Sequence, residues 1–243
     1  MNKVLIVVIM VLGFVFAAQA EMRIWTSVKG DTIEAEYIKL FAGKVILNTP
    51  EGKQLKVPIS GLCNADKEWL ANAVPPKIKI SVDMDKDSDT LSSYSGYSYD
   101  YQTKAETVKG TVKLDKTNQE PCNREFTARM YVIGKETTRD LREVISFAEH
   151  TFSFKTSKTT TFKTTPATVE YTKSSYSVNR GLKYEGYLVV VEDQKGGIVA
   201  FESSQSSYEK NVHKFKSVRK GTKFDRDFDI TNPNQTNKKR KNN

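Results

Sequence analysis

The chain has 243 residues, 38 Lys/Arg against 29 Asp/Glu, a net charge of +9 and a pI near 9.3. This length suits two domains, and two cysteines exclude a disulfide-rich scaffold. The charge is local: residues 214–243 hold ten Lys/Arg and three Asp, +7 of the total, so the rest is nearly neutral and no specific nucleic-acid binding is expected.

Residues 1–20 read as a targeting segment. Lys3 is the positive n-region, residues 4–18 are apolar, and Ala18-Gln19-Ala20 is a small-x-small cleavage site. The apolar run falls short of the ~20 residues that a bilayer span needs. Cleavage after Ala20 leaves Glu21 first and predicts a secreted or periplasmic protein.

Residues 21–75 read as a first module. Arg23-Ile24-Trp25-Thr26 is an aromatic strand, and Lys29-Gly30-Asp31 a polar turn. Ile33, Ala35 and Tyr37 alternate with Glu34 and Glu36, which sets one face on a core and the other in water. Gly43 breaks the chain before Val45-Ile46-Leu47, Pro50-Glu51-Gly52 is a turn, and Pro58 ends a strand carrying Leu55 and Val57. Asn64 and the acids after it start a short helix that Trp69 and Leu70 would pack. About four strands and one helical turn predict a small SH3-like barrel.

The ordered set Arg23, Trp25, Thr26, Gly30, Ala35, Gly43, Lys44, Val45, Leu47, Gly52, Lys53, Val57, Pro58, Ile59, Leu62, Asp66 and Trp69 resembles the Sla homology domain 1 family over residues 23–70. Cys63-Asn64 replaces the usual Ser-type cap, and Trp69 a frequent Tyr. The resemblance implies an SH3-like module that binds short peptides of the Asn-Pro-Phe-x-Asp type. Trp25 and Tyr37 are candidates to line a peptide groove, with Trp25 equally suited to the core, and Lys44 and Lys53 could meet an acidic ligand residue. Asn232-Pro233 in the tail is followed by Asn234 and lacks the aromatic anchor, so the tail is not expected to be an internal ligand.

Val74-Pro75-Pro76 is the expected boundary. Residues 76–210 read as about seven strands and predict an immunoglobulin- or fibronectin-like β-sandwich. Residues 77–82 alternate strictly, and residues 83–93 read as a polar, acidic loop. Tyr94, Tyr97, Tyr99 and Tyr101 sit among Ser and Gly, suited equally to a partner or glycan surface and to a half-buried strand. Residues 144–154 read as a strand, although 141–148 could be helical. Residues 159–171 are rich in Thr and aromatics, and Gly196-Gly197 turns a hairpin after residues 187–191. From residue 211 a largely disordered basic tail is expected. Its Lys238, Lys239, Arg240 and Lys241 either solubilise it or attract an anionic polymer or surface.

Chemical signals are sparse. Cys63 and Cys122 read as separate thiols more readily than as a bridge, and a zinc site is not expected. His150 reads as a surface imidazole. Residues 83–89 have the composition of a calcium loop, but Lys86 interrupts it and no Glu closes it. Asn234-Gln235-Thr236 is a sequon relevant only to a eukaryotic source. There is no phosphate loop, dinucleotide glycine pattern or nucleophile elbow, so neither cofactor nor enzymatic activity is expected. The sequence therefore predicts a secreted, non-enzymatic protein- or peptide-binding chain of the cell envelope, with a structural envelope component as the alternative.

Overall fold

A computed structural model describes residues 22–96, 100–174 and 179–230. The targeting segment, Tyr97, Tyr99 and the basic run 238–241 lie outside them. The chain is all-β, and the described residues form two compact units, divided between Glu68 and Trp69.

The first unit is a meander of β1 (Met22–Thr26), β2 (Thr32–Phe41), β3 (Lys44–Asn48) and β4 (Gln54–Pro58), each antiparallel to the next. Ala42-Gly43 makes the β2–β3 turn with both φ positive, 49° and 72°, the primed geometry that matches strand twist. Register places Arg23, Trp25, Ile33, Ala35, Tyr37, Val45, Leu47, Leu55 and Val57 on one face. The sheet stays open. A single bridge, Ser27↔Leu62, draws the segment after the 3₁₀ turn Ile59–Gly61 against the end of β1. Helix α1 (Asn64–Ala73) follows and crosses the division between the units.

The second unit is a β-sandwich. One layer holds β5 (Ile78–Ser95), β6 (Asp100–Lys116), β9 (Thr159–Lys163) and β10 (Ala167–Ser174). The other holds β7 (Glu125–Glu136), β8 (Arg142–Ser153), β11 (Arg180–Asp193), β12 (Ile198–Ser203) and β13 (Lys223–Phe224). The layers join at one corner, where β10 pairs with β11 through Tyr171↔Gly181 and Thr172↔Arg180. Gly181 has φ 104° there, and a Cβ would lie 2.2 Å from the Glu170 carbonyl oxygen, so only glycine fits. Val112, Leu114, Phe162 and Val169 of the first layer meet Phe126, Met130, Val132, Val189 and Val191 of the second to form the core between them.

Three sequence expectations change. Residues 83–93 lie inside β5, where Ile78, Ile80, Val82 and Met84 face the core and Asp83 and Asp85 face out. Residues 141–148 are not helical: 142–148 lie in β8. Residues 211–230 are folded, and what was read as a tail begins as a structural cover. Helix α2 (Ser206–Lys210), the 3₁₀ turn Val212–Ser217 and β13 lay Tyr208, Val212, Phe215, Val218, Phe224 and Phe228 onto Tyr131, Ile133, Val144, Leu188 and Val190. This is a second core, on the other face of the β7–β8–β11 layer.

Polar latches fix the cover. Tyr131 Oη donates to the Phe215 carbonyl at 2.8 Å, and Tyr208 Oη donates to Glu185 at 2.6 Å. Arg142 holds that carboxylate with two further bonds, at 2.8 and 3.2 Å. Burial pushes the Tyr131 phenol up to about 12, and burial, then the Glu185 carboxylate, push Tyr208 higher still. An unfolded tyrosine ionises near about 10. Because the folded values are raised, stability is intact below about pH 10 and falls as pH rises through about 12. A Tyr131→Phe chain should unfold at higher pH than the wild type. Tyrosinate absorbance and circular dichroism followed through the alkaline range would show it, and identical alkaline midpoints would refute it.

Candidate functional site

The first unit is built around Trp25. β1 alternation turns its indole inward, where it is 1% exposed and Nε1 donates to the Ala35 carbonyl at 2.9 Å. The Arg23 guanidinium lies over the ring at 4.6 Å from its centroid. Asp66, in the first turn of α1, is buried, and its carboxylate accepts from Arg23 at 2.5 Å and from the Thr26 amide at 2.6 Å. Cys63 Sγ lies 3.5 Å from the same carboxylate. One buried acid thus ties the edge strand to the start of the helix.

This framework leaves an apolar slot of about 140 Å³ beside Trp25. Ile33, Leu47, Val57 and Leu62 line its walls, and Thr26, Ser27, Asp31 and Thr32 form its polar rim. An apolar cavity of about 150 Å³ is enough to admit a benzene ring. The slot therefore takes one ring or one branched aliphatic side chain, and its rim offers hydrogen bonds to a peptide backbone. Asp31 gives that rim an acid, hydrogen-bonded to Ser27 Oγ at 3.1 Å.

The four residues singled out in the sequence do not all converge. Trp25 and Tyr37 are neighbours, ring centroids 6.3 Å apart, with Tyr37 half-buried on the core face. Lys44 and Lys53 are both exposed but lie at opposite ends of β3: Lys44 pairs with Pro58, while the Lys53 carbonyl closes the turn to Thr49. A strand rises about 3.3 Å per residue, so one ligand carboxylate meets one of these lysines, not both. Sequence reading did not place Ile33, Leu47, Val57 or Leu62 in the site. Ile33, Leu47 and Val57 share the alternation that turns Trp25 to the core face; Leu62 is brought in only by its bridge to Ser27.

Other sequence signals remain dispersed. Cys63 and Cys122 are free thiols, Cys122 being buried. His150 stacks between Phe152 and Phe162 and meets Thr160 Oγ1 at 3.1 Å. Among the described residues no group of three His, Cys, Asp or Glu is set to hold a metal ion. No helix among them is long and apolar enough to cross a membrane.

The ordered strands, the buried Trp25 and the Asp66 tie lie within one recognisable segment. Residues 15–77 match the family model of SLA1 homology domain 1, SHD1. The SHD1 match takes in the whole sheet β1–β4 and α1, about a quarter of the chain, and indicates protein interaction in general. A solved crystal structure from Akkermansia muciniphila is similar at 15% identity, over 59% of this chain and 78% of that one, with a TM-score of 0.19. A similarity that low adds nothing to the account of the fold. A search of curated proteins gave no match.

Proposed function

We propose that the chain is an exported, non-enzymatic recognition protein whose SHD1 unit captures an extended peptide or protein segment in the cell envelope. The observation that carries this reading is the apolar slot beside Trp25, inside the segment that matches SHD1. A peptide laid along the open sheet inserts one apolar side chain, and the rim residues Thr26, Ser27 and Thr32 bond its backbone. Tyr37 extends the aromatic surface, and either Lys44 or Lys53 meets an acid, as the Asn-Pro-Phe-x-Asp type of ligand requires. Export is supported by Lys3, the apolar run of residues 4–18 and Ala18-Gln19-Ala20. N-terminal sequencing of the exported protein should begin at Glu21. The basic run at 238–241 adds salt-sensitive attraction to any anionic polymer or surface.

The test is a methyl-labelled NMR titration of the full chain with a peptide library varying the aromatic and the acidic positions. Ligands should shift the methyls of Ile33, Leu47, Val57 and Leu62. A Val57→Phe substitution, which fills the slot, should abolish those shifts. Replacing Lys44 or Lys53 by Glu should weaken binding more at low salt than at high salt, because exposed charges are screened. If no peptide perturbs these methyls, recognition is wrong and a purely structural envelope role replaces it.

A further inference from the structure

The slot beside Trp25 is neutral except at one point. Its lining is apolar or hydroxyl-bearing everywhere but at Asp31, which is its only charged side chain. Arg23, the cation over the Trp25 ring, is committed to Asp66 and is not part of that lining. Lys44 and Lys53 lie outside it too, so an acid that meets either one stands further along a bound peptide. Whatever charge a ligand carries beside its apolar anchor is therefore met by Asp31.

The β1–β2 turn holds this acid in place. The Ser27 amide donates to the Asp31 carbonyl at 2.8 Å, and the Asp31 amide donates back to Ser27 Oγ at 3.1 Å. The Lys29 amide donates to the same Oγ at 3.1 Å. Gly30, with φ 91°, supplies the backbone conformation that so tight a turn needs. Ser27 Oγ in turn donates to Asp31 Oδ2 at 3.1 Å, which orients the carboxylate. Asp31 stays exposed, and among the described residues it forms no ion pair. The charge is thus positioned before a ligand arrives, so little ordering is needed to use it.

We infer that Asp31 is the specificity-determining residue of the slot, and that it selects an extended segment carrying Lys or Arg within two residues of its apolar anchor. This rests on the reading of the slot as a peptide-capture site. A segment that drops one side chain into the slot draws its neighbours past the rim. Residues two apart in an extended chain are separated by about 6.6 Å, a gap that the long stem of a Lys or Arg spans while its head stays in water. A cation there pairs with the carboxylate, an acid is repelled, and a neutral residue does neither. The pair is exposed, so each of these effects is a factor of about two to five, not of hundreds. It acts on choice among ligands, while the apolar anchor supplies most of the affinity.

The test uses the full chain and short peptides of Gly and Ser around one Phe or Leu anchor, with a single Lys, Ala or Glu scanned through the two positions on either side. Methyl shifts of Ile33, Leu47 and Val57 report occupancy of the slot. At low salt the best Lys peptide should bind about threefold tighter than its Ala counterpart and about tenfold tighter than its Glu counterpart, and the spread should shrink at high salt. Asp31→Asn keeps an acceptor for Ser27 Oγ, so the turn is retained; it should bring the Lys and Glu peptides within about twofold of each other. Asp31→Lys should reverse their order. If peptides bind but Lys, Ala and Glu are equivalent, if Glu binds best, or if the preference for Lys survives in Asp31→Asn, the inference is overturned while peptide capture stands. If no peptide moves the methyls, both fall.

Discussion

A chain ended at Lys210 should fail to fold, whereas one ended at Ile230 should melt with the full-length protein. Ending at Lys210 removes Val212, Phe215, Val218, Phe224 and Phe228, and uncovers Tyr131, Ile133, Val144, Leu188 and Val190. Burying a large apolar side chain contributes about 1.5–3 kcal/mol. Five such losses together equal the ~5–15 kcal/mol by which a typical domain is stable at all. The shorter chain also loses the acceptor of the Tyr131 hydroxyl and the Lys216 bond to the Gly196 carbonyl at 2.6 Å. The second core is complete by Phe228, so removing residues 231–243 leaves every one of these contacts in place. Thermal melts and soluble yield of the two truncated chains decide the matter. A soluble 1–210 chain with an unchanged melting temperature would show the cover to be dispensable.

Replacing Trp25 by Ala should cost about 3–5 kcal/mol, the usual loss for a fully buried Trp. The substitution removes the Nε1 bond to Ala35 and the ring beneath Arg23, and opens the slot into a larger void. A unit of this size has little stability in reserve, so the sheet β1–β4 should be largely unfolded. Hydrogen exchange on the full chain resolves where the loss falls. Amides of β1 to β4 should lose protection, while those of Val189 and Val191, in the core between the sandwich layers, should keep theirs. Equal loss in both regions would mean that the two units do not unfold separately. Trp25→Phe should cost less, since the ring volume is mostly kept.

The first unit was legible because each local signal agreed with the next. Ile33, Ala35 and Tyr37 alternate as the strand demands, and the glycines at 43 and 52 take positive φ, 72° and 78°, where the turns need it. The β5–β6 hairpin was harder to read. Its outer half carries Asp, Lys, Ser and Thr on both faces, so only backbone pairing makes it a strand, and pairing leaves no periodicity in the sequence. Residues 141–148 were ambiguous because Val144 and Ile145 are both buried. The second core covers one face of β8 and the sandwich core the other, which erases the alternation. In the C-terminal segment, Lys214, Lys216, Arg219 and Lys220 obscured the apolar spacing of Tyr208, Val212, Phe215 and Val218. That spacing was visible in principle, at steps of four and three residues. The slot was partly legible: Trp25 and the walls Ile33, Leu47 and Val57 follow from strand alternation, but Leu62 arrives through a bridge that no local pattern announces.

The two layers of the sandwich are interleaved along the chain, and this bears on how fast the protein folds. β6 must wait for β10, whose partner residues run from Val108↔Ala167 to Tyr101↔Ser174, and β7 must wait for β11, from Phe126↔Asp193 to Glu136↔Leu182. Hairpins β5–β6 and β7–β8 can form as soon as they are made, yet neither layer gains its central neighbour until some sixty residues later. Closing loops of that length before any contact repays them slows the search, and all-β domains dominated by such pairings fold in milliseconds to seconds. The cover that seals the second core is made after all of these strands. During synthesis the half-built sandwich therefore presents strand edges and an uncovered sheet face for its whole lifetime, a window in which a holding chaperone has something to grip.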